Sequence, residues 1–227
     1  MKRSQINALI KETIQWLEER KVYLPPFAYW SPADWAAKGH EYDEVRENML
    51  GWDVTDYGRG DFDKVGLLLF TIRNGSLKNP KFAKPYAEKM MIIQVGQLSP
   101  NHFHWYKMED IINRGGGVLM LQLWNSTKDG ELGDTDVTVR IDGKMCAVPA
   151  GGKVYLKPGE SITLSPGQYH LFTAVDEKVL AWEVSMVNDD NTDNRFYEAQ
   201  DRFARIEEDE PAEYLLCNEY PEANRHV

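Results

Sequence analysis

The chain has 227 residues, with 26 Lys and Arg against 36 Asp and Glu, a net charge of −10. That balance argues against nucleic acid or an anionic membrane as a main partner, since phosphate binding needs clustered cations, while 42% hydrophobic and 11% aromatic content suffices for a packed core and excludes a disordered chain. No apolar run approaches the ~20 residues that span a bilayer, Met1 to Asn7 lack the apolar block of a secretory signal, and two cysteines, Cys146 and Cys217, are too few for a disulfide scaffold, so a soluble, cytoplasmic protein is expected.

In chain order, Ile6, Leu9, Ile10, Ile14 and Leu17 recur at helical spacing and predict a helix over 4–21 with Ser4 as its cap. Pro25 and Pro26 stop it. Ser31-Pro32 followed by Gly39 predicts a second, short helix. Residues 40–63 are polar and aromatic without a clear period, and are expected to be loop with one helical turn.

From Lys64 the character changes. Short apolar runs at 65–72, 88–98, 117–124, 137–141, 144–148, 153–156, 161–164, 169–174 and 179–186 are separated by Gly, Pro, Asn or Asp. Ile141-Asp142-Gly143-Lys144 is a two-residue hairpin signal. About nine short strands without an intervening helix imply a sandwich or barrel and exclude a doubly wound parallel sheet. The acidic residues 188–227, with aromatic anchors such as Phe196 and Tyr220, are expected to wrap the barrel. The expected organisation is one domain: an N-terminal helical and loop extension (1–63), a barrel (64–187) and a tail (188–227).

The chemistry concentrates in the histidines. In a strand, His102 and His104 project from one face about 6.6 Å apart, with Phe103 on the other. Glu109 can return to the same face if the next strand runs back antiparallel, and His170 lies on a later strand. Three neutral imidazoles and a carboxylate suit a divalent first-row metal. A lone His-x-His is more often an exposed or hydrogen-bonded pair than a metal site; its setting between Gly96 and Gly116, and the second stretch from Gly159 to Pro166, Gly167 and His170, make the pattern more specific. Such glycines permit the positive φ of tight connections.

These two stretches resemble the paired motifs of the cupin superfamily, a small jelly-roll barrel. The first matches in every defined position. In the second, Pro166 directly precedes Gly167, and Ala174 stands where Asn is usual. The chain from its N-terminal helix through 25–30, 102–109 and 187–193 further resembles the D-lyxose isomerases, bacterial cupin sugar isomerases that use manganese. The resemblance implies interconversion of D-lyxose with D-xylulose and of D-mannose with D-fructose. It also implies Mn²⁺ ligation by His102, His104, Glu109 and His170, with Lys107 in the active site.

Such a metal leaves open positions for two adjacent sugar oxygens and offsets the charge of an enediolate. Lys107, desolvated beside a cation, is expected to have a lowered pKa. Glu183 alternates with Ala181 and Ser185, opposite Trp182 and Val184, and is expected to face the interior as the general base, with Lys107 steadying or protonating the oxygen. Lys89, Tyr106, Asp190, Asp193 and Arg195 are candidates for sugar hydroxyls, and Phe27, Trp30 and Trp105 for stacking on a sugar face. His40 and His226 are expected at the surface. An iron-dependent cupin dioxygenase or oxidase and a non-enzymatic sugar-binding cupin are the competing readings. Exposed jelly-roll edges suggest a homodimer.

Overall fold

The computed structural model describes residues 1–225. Three helices, α1 (Arg3–Glu19), α2 (Pro32–Ala36) and α3 (Asp43–Glu47), precede thirteen strands: β1 (Gly51–Thr55), β2 (Leu67–Arg73), β3 (Tyr86–Ile93), β4 (His102–His104), β5 (Glu109–Gly116), β6 (Leu119–Asn125), β7 (Val137–Ile141), β8 (Lys144–Val148), β9 (Lys153–Leu156), β10 (Ser161–Leu164), β11 (Gln168–Ala174), β12 (Val179–Met186) and β13 (Asn194–Phe196). An eight-stranded antiparallel sheet, in the order β1-β2-β3-β12-β5-β10-β7-β8, faces a five-stranded one, β13-β4-β11-β6-β9. Two facing antiparallel sheets are the sandwich or barrel expected from the strand spacing and the jelly roll that the cupin resemblance implied. None of the described helices is long and apolar enough to cross a membrane.

Where α1 covers the large sheet, β2 and most of β3 are buried on both faces, which is why they read as continuous apolar runs rather than alternating ones. Leu67, Leu69, Met91 and Ile93 point into the barrel with residues of the small sheet such as Leu121, Leu123 and Phe172. Their alternates Leu68, Phe70, Met90 and Ile92 point outward onto Ile6, Ile10 and Leu17 of α1. The Asp142-Gly143 turn has both φ values positive (49° and 82°), and Ile141 pairs with Lys144, the geometry whose twist matches a two-residue hairpin. Ser31 caps α2 through a reciprocal capping box with Asp34.

Several expectations are corrected. Ser4 is not a cap: it sits in the first turn of α1, and its N–H and hydroxyl donate to the Asp209 carboxylate of the tail at 2.9 and 2.7 Å. The tail thus supplies the anion that a helix N-terminus favours. Residues 40–63 contain strand β1 as well as helical turns. Glu109 does not return alongside β4; β5 joins the large sheet, pairing with β10 and β12. The tail meets the barrel where β13 pairs with β4, and beyond that it packs on the N-terminal extension: Glu207 bridges to Lys2, Arg3 is ion-paired to Glu208 and Glu219, and Tyr220 packs on Trp35.

Candidate metal centre and active site

Facing sheets bring the site together. β11 pairs with β4 so that His170 lies directly opposite His102. The large sheet supplies Glu109 at the start of β5, Glu183 from β12 and Lys89 from β3, with Glu183 paired to Lys89. These side chains line one interior cavity.

His102, His104 and His170 present ring nitrogens all within 4.8 Å of one another. Glu109 Oε1 lies 3.1 Å from His170 Nε2 and 3.4 Å from His104 Nε2, and this buried oxygen has no hydrogen-bond partner. Two donors at right angles, each ~2.1 Å from one ion, lie ~3 Å apart. An orphaned carboxylate oxygen is costly to bury unless something else occupies its lone pairs. The ring orientations agree: His102 Nδ1 meets the Pro100 carbonyl at 2.8 Å and His170 Nδ1 that of Gln168 at 3.1 Å. A carbonyl only accepts, so each Nδ1 carries the proton and each Nε2 presents a lone pair to the cavity. Burial, reinforced by the neighbouring imidazoles, holds His102 well below the usual histidine range; burial and the Lys107 charge lower His104. Neutral imidazole is the ligating form. The donor set therefore fits a divalent cation.

Beside it runs a chain of alternating charge. Burial alone would lower the pKa of Lys107, but its ammonium lies 2.8 Å from Glu109 Oε2 and 2.7 Å from Glu183 Oε1, and the two carboxylates raise it instead. The lowered value expected from the sequence is thus corrected: the flanking anions outweigh desolvation. Glu109 and Glu183 are correspondingly lowered, Lys107 overcoming in each case the upward push of burial. On Glu183, contacts from Lys107 Nζ, Ser185 Oγ at 2.9 Å and Lys89 Nζ at 3.5 Å all converge on Oε1. Asn188 Oδ1 in turn accepts from Lys89 Nζ at 2.6 Å and from Lys107 Nζ at 3.4 Å.

The remaining candidates divide. Asp190 lines the cavity, ion-paired to Arg202. Asp193 is buried and clamps the loop bearing Lys107: its carboxylate accepts from the Tyr106 and Lys107 N–H groups at 2.8 and 3.1 Å. Tyr106 itself is 76% exposed, and Arg195 turns aside to donate to its neighbour's carbonyl at Phe196. Phe27 stacks on Phe70 beneath α1 and packs against Trp30, on the far face of the large sheet; its aromatic ring belongs to packing. Trp105 lies edge-on to Phe103. His40 is at the surface beside Asp43, and His226 lies outside the described residues. Tyr57, Asn194 and Arg202 also line the cavity; nothing in their sequence surroundings singles them out, because what brings them to the metal centre is strand pairing and ion pairing between distant parts of the chain, such as Asn194 with His104 and Arg202 with Asp53.

A family model described as D-lyxose isomerase matches residues 1–220. D-lyxose/D-mannose isomerase of Escherichia coli O157:H7 is 50% identical over 223 residues, covering 97% of this chain and 98% of the relative. The protein of the same name from Serratia proteamaculans is 49% identical over 224 residues, with 97% and 98% covered. Among solved structures, Cellulomonas parahominis L-ribose isomerase with L-psicose superposes with a TM-score of 0.60 at 15% identity, covering 91% of this chain and 98% of that one, a likeness of fold. The whole-length family match and the half-identical relatives place this chain, a sugar isomerase, in the D-lyxose isomerase family.

Proposed function

We propose that the protein is a metal-dependent aldose–ketose isomerase that interconverts D-lyxose with D-xylulose and D-mannose with D-fructose in the cytoplasm, using Mn²⁺ held by His102, His104, His170 and Glu109. The observation that carries this reading is the partnerless Glu109 Oε1 among three imidazoles, one residue pair away from the Lys107–Glu183 couple. The names of its half-identical relatives support the two sugar pairs.

When bound, the cation supplies Lewis-acid polarisation of the sugar's carbonyl and adjacent hydroxyl oxygens. Glu183, whose hydrogen bonds from Lys107 and Ser185 both fall on Oε1, offers Oε2 to the substrate and moves the proton between C1 and C2 through a cis-enediol. Lys107, kept protonated by its two carboxylates, donates to the oxygen that gains charge. Lys89 and Asn188 hold this couple in place. The protein also forms a homodimer: Tyr86, Met108, Val184 and Met186 are exposed together on the outer side of the large sheet, with Tyr86 opposite Met186 and Met186 bonded to Met108. Clustered exposed apolar groups mark an association surface.

Glu183→Gln tests the catalytic assignment. It removes the base while keeping shape, and is expected to lower kcat ~10²–10⁴-fold with bound metal unchanged. Chelation should abolish ketose formation and Mn²⁺ restore it. Solvent deuterium should enter the sugar during turnover; full retention of the C2 hydrogen would exclude a proton route. Unchanged rates in the variant would remove Glu183 from the role.

A further inference from the structure

The tail carries a charge cluster that neither the metal centre nor the acid–base couple employs. Arg202 is ion-paired to Asp53 (Nη2 to Oδ2, 2.7 Å) and to Asp190 (Nε to Oδ1, 3.1 Å). Asn194 Nδ2 donates to the same Asp190 oxygen at 3.3 Å. Sharing one acceptor atom holds the two side chains side by side. Arg202 Nη1 and Asn194 Oδ1 are both buried without a hydrogen-bond partner, and both residues line the cavity of the metal centre.

The geometry points to a hydroxyl subsite at Arg202 and Asn194 that recognises a sugar hydroxyl outside the reacting C1–C2 pair; this rests on the isomerase reading. One orphan is a donor and the other an acceptor. An alcohol is the small group that satisfies both at once, accepting from Arg202 Nη1 while donating to Asn194 Oδ1. A carboxylate or phosphate would satisfy Arg202 but face the Asn194 carbonyl and Asp190 with like polarity, so the subsite selects neutral polyols over sugar acids and sugar phosphates. Asp190 is the positioning residue: its carboxyl, which burial would push up, is held far below the usual range by Arg202 and Lys89, and stays an acceptor that fixes both partners.

A site built to hydrogen-bond a hydroxyl rejects the analogue that lacks it, because the protein groups are left bare. The test measures kcat/KM for D-lyxose and for its 3-, 4- and 5-deoxy analogues with the wild-type chain, Asn194→Leu and Arg202→Lys. Arg202→Lys keeps the charge between Asp53 and Asp190 but not the fork, and Asn194→Leu removes both polar ends at nearly constant shape; circular dichroism checks that each folds. One analogue should lose at least tenfold with the wild type and less than threefold with either variant. A parallel drop for all four sugars, their ratios unchanged, would overturn the subsite and leave Arg202 a structural clasp. Calorimetric binding of the non-reacting alditol of D-lyxose and the same deoxy series separates the two readings. Absent turnover by the wild type sinks the isomerase alone, while the alditol's preference over its deoxy forms, kept or lost in the variants, decides the subsite.

Discussion

Glu109 faces two partners with its two oxygens. Oε1 lies among the imidazoles and Oε2 takes the Lys107 ammonium at 2.8 Å. One carboxylate thus fixes the distance between the metal and the proton-handling couple, and its loss should injure both. Glu109→Gln is expected to weaken Mn²⁺ binding by at least ~100-fold, since even outer-shell changes cost 10–100-fold; metal retained after dialysis against a buffered ion measures it, and undiminished retention would leave Glu109 out of the ligand set. The His-x-His spacing and the lone late His170 were legible because metal ligation needs rare residue types in a fixed order. Lys89 and Asp190 could be nominated only by type. Arg202 could not be found at all: its value comes from Asp53, almost 150 positions upstream, and no local pattern records such a pairing.

At the scale of elements, α1 is the outer cover of the large sheet. Ile10 is fully buried in the layer formed with Phe70 and Met90, so Ile10→Ala should cost about 3 kcal/mol through lost burial and the cavity left behind. Urea unfolding reads this directly, while activity per folded molecule stays near normal because the helix lies on the face away from the metal. A loss of activity without a loss of stability would contradict that division. This two-sided burial also explains which strands the sequence reveals. Leu67–Arg73 is unmistakable because both faces are apolar. Gly51–Thr55 escapes because Asp53 and Thr55 point inward while Trp52 and Val54 serve the outer layer, giving no period and little apolar run. Glu109–Gly116 escapes for the complementary reason: its polar residues serve the site and the connections, with Asn113 donating to the Gly117 and Leu156 carbonyls. Asn194–Phe196 is three residues long and gains strand character only from pairing with β4.

For the whole molecule, the outward apolar group on β3 and β12 predicts self-association. Light scattering should give twice the 26.1 kDa of one chain, and Met186→Asp should return it to one by placing a charge in the contact; a wild-type monomer at assay concentration would refute the dimer. The order in which the fold is completed carries a different meaning. β4 ends at His104 and its partner β13 begins at Asn194, 194 − 104 = 90 positions later. At ~5–20 residues per second on the ribosome, roughly five to twenty seconds separate their emergence. A product truncated ahead of Asp190 would keep the three imidazoles, Glu109, Lys107 and Glu183, yet lack the wall formed by Asp190, Asn194 and Arg202. The ligands and the acid–base couple are thus encoded ahead of residue 190, and the wall that meets the rest of the sugar is the last part of the site to leave the ribosome.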